Sequence, residues 1–153
     1  MPMRLGTPLP TLDGATASFH TEGVDLSSLK GKPVLIHFWS VSCHICHEVM
    51  PNLVEYRDAY APQGLQVVGI HMPKQESDLD VAKVKEDIAH FGLTHPILVD
   101  NRHAIAERFQ NQFVPAFFLF DREGKLFFRA AGDKGLQNLK PKLEQLFAAA
   151  EGE

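Results

Sequence analysis

Strand-like and helix-like segments alternate along this chain of 153 residues, with no internal repeat, low-complexity tract or long linker, and that alternation predicts an α/β domain. A second observation is the run Val34-Leu35-Ile36-His37-Phe38-Trp39, which is apolar on both alternating faces apart from His37, as a central strand covered on both sides must be. A third is the pair of apolar runs Ala116 to Phe120 and Leu126 to Ala130 around Asp121-Arg122-Glu123-Gly124, which reads as an antiparallel hairpin with turn chemistry at its tip. We expect one domain over residues 1–153, with a Pro-rich N-terminal arm over 1–30 and a core over 31–147.

The other elements follow in order. From Cys46 onward Val49, Leu53, Tyr56 and Tyr60 recur at helical spacing, and Pro51, which has no N–H, is expected to kink that helix. Gln66 to His71 reads as the next strand. Ser77-Asp78-Leu79-Asp80 has the spacing of a capping box, and Val81, Val84, Ile88 and Phe91 then mark an amphipathic helix stopped by Gly92. Ile97 to Val99 makes a short buried strand, and a capped helix is expected from about Asn101 to Phe109. Leu139, Leu143, Leu146 and Phe147 form the stripe of a closing helix, with Pro141 assigned to its first turn, where a missing N–H costs nothing.

A chain of this length buries roughly 70% of its unfolded surface and needs no staple. The net charge of -4, with only 15 Lys plus Arg interspersed among acidic residues, argues against a nucleic-acid surface and gives no support to membrane binding. No apolar run approaches the ~20 residues of a spanning helix, and the N-terminus has no signal-peptide core. The expectation is a cytoplasmic monomer, or an exported protein whose targeting segment has been removed. Two cysteines in one CxxC pair fit a catalytic dithiol in a reducing compartment better than a disulfide scaffold.

Cys43-His44-Ile45-Cys46 stands where the first strong strand hands over to a helix. A thiol at a helix N-terminus faces N–H groups without intrahelical partners, and the positive end of the dipole favours thiolate. Cys46, one turn on, can reach back to close a disulfide or resolve a mixed one. No other cysteine is present, so the two have only each other as intramolecular partners. His44 beside Cys43 adds a possible cation that would lower the thiolate pKa, the alternative being an exposed histidine of small effect. His47 and Glu48 read as solvated helix residues, and His71, His90, His95 and His103 lack metal-ligand spacing and read as structural or surface groups.

With Leu29-Lys30-Gly31-Lys32-Pro33, Phe38-Trp39, Cys43 and Cys46, Glu48-Val49-Met50-Pro51, Phe113-Val114-Pro115-Ala116, Asp121-Arg122-Glu123-Gly124 and Gly132 in view, the chain resembles the thioredoxin superfamily, and within it the thiol-disulfide oxidoreductases of bacterial cytochrome maturation. Val68-Gly69-Ile70-His71 through Thr94-His95-Pro96-Ile97 is also similar to the thioredoxin-like domains found ahead of NHL repeats. The resemblance implies a thioredoxin-like fold, a central mixed sheet flanked by helices, with an N-terminal extension and a β-α insertion. It implies Cys43 as exposed nucleophile, Cys46 as buried resolving thiol and Pro115 as a cis-proline beside the disulfide. It further implies a substrate-facing set of Trp39, His44, Ile45, Val114 and Pro115, with Val114 offering its backbone to an extended peptide. No cofactor and no metal are expected, the partners being protein disulfides or dithiols and an unidentified electron donor.

Departures from that pattern matter as much. His37 occupies the strand position that carries a buried Asp in thioredoxins, and Val49 the helix position that often carries Glu in the cytochrome-maturation group. With both carboxylates missing, His37 is the residue best placed to act as base for the resolving thiol, or else it is a hydrogen-bonded core histidine with no chemical role. Rival readings are a c-type haem site at Cys43-His44-Ile45-Cys46-His47, a copper or zinc module, and a thiol peroxidase. The preceding strand opposes haem, and Ile36 where a peroxidase needs proline opposes the last. The expected function is thiol-disulfide exchange through Cys43 and Cys46.

Overall fold

The computed structural model describes residues 3–26, 29 and 31–151. Six strands form one mixed sheet: β1 (Ala17–Phe19), β2 (Val34–Trp39), β3 (Gln66–His71), β4 (Ile97–Val99), β5 (Ala116–Phe120) and β6 (Leu126–Ala131), in the order β1-β4-β3-β2-β5-β6. The strand with the most continuous apolar sequence, β2, is buried at every position, pairing in parallel with β3 and antiparallel with β5. β3 continues in parallel to β4, and β5 and β6 make the hairpin expected around Asp121-Arg122-Glu123-Gly124.

Alternation along β2 sorts the core into two layers. Leu35 and Trp39 pack with Cys46, Val49, Met50 and Leu53 of α1 (His44–Tyr60), with Val84 and Ile88 of α2 (Val81–Phe91), and with the stripe Leu136, Leu139, Leu143, Leu146 and Phe147 of α4 (Gly132–Glu151). Val34, Ile36 and Phe38 face the opposite layer, built from Ile105 and Ala106 of α3 (Ala104–Arg108), Phe109, and Met3, Leu12 and Leu29 of the N-terminal arm.

Several sequence expectations move. The arm, for which no element was expected, contributes β1, which adds to the sheet antiparallel to β4 with Ala17 opposite Val99. The capping box sits two residues earlier than its sequence spacing suggested, between Gln75 and Asp78 around the 3₁₀ turn Glu76–Leu79, and Asp80 alone caps α2 by accepting from the Ala82 N–H at 3.0 Å. Gly92 ends α2 in the left-handed conformation, as expected. The third helix starts only at Ala104, because the buried Asp100 carboxylate takes the Ile105 and Ala106 N–H groups at 3.0 and 2.8 Å and so supplies the cap from outside the helix. Pro141 lies in the interior of α4 and not in its first turn, since that helix begins at Gly132 directly from β6.

Candidate active site

The local chain folds so that β2, the central strand, delivers Trp39 at its C-terminal end, three residues turn, and Cys43 becomes the N-cap of α1. Its Sγ accepts the Cys46 N–H at 3.1 Å, the place a serine or aspartate oxygen takes in an ordinary cap. This sulfur therefore meets an unpaired helix N–H at the positive end of the dipole, which favours thiolate when the bond is reduced. Cys43 and Cys46 are joined in a disulfide with a Cα–Cα separation of 5.2 Å. Cys43 is partly exposed and Cys46 wholly buried against Val49 and Leu53, so reagents reach one sulfur before the other.

The turn before Cys43 is pinned from the neighbouring β3 end. His71 Nε2 accepts the Val41 N–H at 3.1 Å, and the Ser42 hydroxyl donates to Asp78 Oδ2 at 2.8 Å. The same carboxylate oxygen takes the Lys74 and Gln75 N–H groups at 2.9 and 3.3 Å. From that turn Lys74 Nζ reaches across to the Gln112 carbonyl at 2.8 Å, on the segment that leads into Val114 and Pro115. Asp78 and Lys74 thus link the two loops that border the disulfide. Burial lowers the His71 pKa to about 4 against the opposing pull of Asp78 and Asp87, so it stands neutral with its proton on Nδ1.

The Val114–Pro115 peptide bond is cis, and Pro115 lines a small cavity of about 10 Å³ together with His37, Trp39, Cys46, Leu53 and Phe117. A volume of that order is the least that holds one water molecule. Val114 is half-buried beside it, and Phe113, part of the same motif but outside the expected substrate-facing set, is 66% exposed. Ile45 is exposed on the first turn of α1. His44 is also exposed, paired with Glu48 through a 2.8 Å contact one helical turn on.

Two expectations need correcting here. Trp39 is only 1% exposed, so it cannot present a surface to a substrate; it lies under the disulfide, its Nε1 donating to Asp87 Oδ2 at 3.1 Å. His47 is not a free surface residue, because it meets the same Asp87 oxygen at 2.8 Å and stacks on Phe91 with ring centroids 5.3 Å apart. Asp87, on α2 and 48 residues from Trp39, carries no local motif and escaped sequence reasoning.

His37 lies where expected, on β2 beneath α1, but with a partner the sequence did not reveal. Its Nε2 is 2.8 Å from Nε2 of His95, and His95 Nδ1 is 3.1 Å from Arg57 Nη1. Burial first, and then the Arg57 cation, lower the His37 pKa to about 3; burial, His37, Arg57 and His20 hold His95 well below the usual histidine range. Among the described residues no three His, Cys, Asp or Glu side chains converge as metal ligands.

A six-stranded mixed sheet, a CxxC disulfide at a helix N-terminus on the end of its central strand and a neighbouring cis-proline define the thioredoxin-like class of proteins. Residues 5–129 match the AhpC/TSA family, to which the chain belongs. It is 43% identical over 149 residues to the thiol-disulfide oxidoreductase YkuV of Bacillus subtilis, covering 97% of this chain and 100% of that one. It is also similar to the thiol-disulfide oxidoreductase ResA of Bacillus anthracis, at 25% identity over 94% of this chain and 79% of ResA. Among solved structures, a thioredoxin-like protein in the oxidized form superposes with a TM-score of 0.86 at 42% identity, covering 96% of this chain and 99% of the other. A DsbE-like thiol:disulfide interchange protein from Chlorobium tepidum, at 21% identity and a TM-score of 0.78 over 95% and 99% of the two chains, shares the fold. The protein is a thiol-disulfide oxidoreductase working through Cys43 and Cys46.

Proposed function

We propose that Cys43 is the attacking sulfur and Cys46 the resolving one in exchange with extended segments of other proteins. The observation that carries this assignment is the Cys43 Sγ acting as helix cap while partly exposed, with Cys46 fully buried behind it. In the reducing direction the Cys43 thiolate attacks a substrate disulfide; a Cys43–substrate bond forms, and the displaced substrate sulfur leaves as thiolate and takes up a proton. Cys46, on losing its proton, attacks Cys43 Sγ. The internal disulfide forms, the second substrate sulfur leaves, and two electrons have passed to the substrate. An electron-donating dithiol of another protein returns the enzyme to its reduced form by the same steps reversed.

The substrate segment is proposed to lie along Val114 and Pro115 as a short added strand, flanked by Ile45 and His44 on one side and Phe113 on the other. His37 is proposed to govern the protonation of Cys46 from beneath. With both cysteines committed to the dithiol, the proposed location is the cytoplasm.

Reduction of insulin by dithiothreitol tests the assignment. The metal-stripped protein should accelerate it, Cys46→Ser should accumulate a mixed disulfide with the insulin chain, and Cys43→Ser should not. Activity that appears only after copper or zinc is added, or equal trapping by both variants, overturns it.

A further inference from the structure

Behind the dithiol, on the side of the sheet covered by α1, lies a polar array of three side chains. It runs from Arg57 on α1 to His95, just before β4, and on to His37 on β2. Its proton positions follow from the chemistry of one end. A guanidinium has donors only and does not lose its charge in proteins. Arg57 Nη1, 3.1 Å from His95 Nδ1, therefore donates, and His95 Nδ1 is bare. His95, if neutral, then carries its one proton on Nε2 and points it at His37 Nε2, 2.8 Å away. That nitrogen must be bare in turn, which leaves the His37 proton on Nδ1. Charging His95 would set an N–H against the Arg57 N–H, and charging His37 would set one against the His95 N–H, so both rings are neutral.

The surroundings agree. His37 stacks on Trp39 at 5.6 Å between centroids, and the charged or titratable neighbours that act on the pair are Arg57 and His20, both of which oppose a further positive charge. The same Nη1 also donates to the Gly92 carbonyl at 3.0 Å, and Nε and Nη2 on the far side meet Asp58 Oδ1 at 3.0 Å, which keeps the guanidinium in place. Opposite His37 in the parallel ladder stands Gly69, where a Cβ would come within 2.6 Å of His37 Nε2; the chain leaves this position empty and the imidazoles meet there.

We propose that Arg57, acting through His95, fixes His37 as its Nδ1–H tautomer, so that His37 serves the resolving sulfur as a hydrogen-bond donor and not as a base. The proposal rests on the dithiol reading above and reverses the role that the sequence suggested for His37. Its only lone pair outside the aromatic system is already taken by His95, and a proton from Cys46 has nowhere to go on that ring. The donor acts across the small cavity that His37 and Cys46 both line, about 10 Å³ in volume and so at the lower limit for one bridging water. Stabilising the Cys46 thiolate by one such bond lowers its pKa by about one unit. Arg57 and His95 are positioning residues for that bond.

Side-chain ¹⁵N–¹H correlation spectra of the oxidised protein at neutral pH read the tautomers directly. The expected patterns are Nε2–H for His95 and Nδ1–H for His37, with neither ring becoming imidazolium down to pH 5. An Nε2–H pattern for His37, or an imidazolium at either position at pH 7, overturns the proposal on the native protein alone. In Arg57→Met both rings should lose their single-tautomer patterns; unchanged patterns contradict the part given to Arg57. In a Cys43→Ser background, thiolate absorbance should titrate about one pH unit higher in His37→Leu than with His37 present; an equal or lower value removes the donor role. These readouts need no substrate, so a protein with the expected tautomers that fails to reduce insulin would sink the exchange reading and leave the array standing.

Discussion

Gly69 shows how far one position can be dictated by a side chain on another strand. Its backbone angles are ordinary, so the constraint is space: an added methyl would meet His37 Nε2 at 2.6 Å and Ile97 Cδ1 at 2.7 Å, inside the sheet. Overpacking of this kind costs about 1–3 kcal/mol. Gly69→Ala should therefore lower the unfolding free energy by that amount, read as a lower urea midpoint, while leaving the disulfide intact, and a midpoint equal to the parent's would mean that the His37–His95 pair is looser than described. At the same scale the dithiol was legible in the sequence because everything it needs lies in one short stretch, from Val34 to Cys46: the strand, the helix start and two thiols. The His37–His95 contact was not, since the residues stand 58 apart and meet only because the parallel register of β2, β3 and β4 places them side by side. Asp87 and Asp78 escaped recognition as site residues for the same reason.

At the scale of elements, strands that are buried on both faces announced themselves. β2, β4 and β5 begin and end where their apolar runs do, because burial selects those residues, whereas β3 carries Gln66 and His71 at its ends through its pairing with β2. Helix starts were less legible, because capping depends on which side chain reaches the first N–H groups. Asp100, four residues before α3, supplies what a local cap would have supplied, and Gln75 with Asp78 closes a box around a single 3₁₀ turn that sequence spacing had attached to α2. Pro141 shows the opposite error. A rule about first turns assigned it to a helix start, whereas continuity with β6 starts α4 nine residues earlier, and the apolar stripe from Leu136 to Phe147 holds the helix through its proline. β1 is only three residues long, and its Ala-Ser-Phe sequence carries no strand signal strong enough to stand out from the Pro-rich arm.

For the whole molecule, three histidines share one sign. His37, His71 and His95 all have folded pKa values below the ordinary 6.5, the first two at about 3 and about 4, because burial penalises their charged forms. In the unfolded chain each protonates near 6.5, so below that pH the unfolded state binds more protons than the native state does. The stability these groups contribute is complete above pH 6.5 and is lost as pH falls toward 4 and 3, at up to about 1.4 kcal/mol per pH unit for each histidine. Urea midpoints should accordingly fall between pH 7 and pH 5; a flat or rising midpoint over that range would mean that these rings are not buried in neutral form. Within the same two-layer core, the dithiol follows the end of the central strand, with one sulfur partly open and the other enclosed, and this asymmetry decides which sulfur attacks. The measurement that tests it most directly is alkylation of the fully reduced protein at pH 7, with each site read by mass spectrometry over time. Cys43 should be modified well before Cys46; equal rates, or earlier modification of Cys46, would contradict the open and enclosed placement of the two sulfurs.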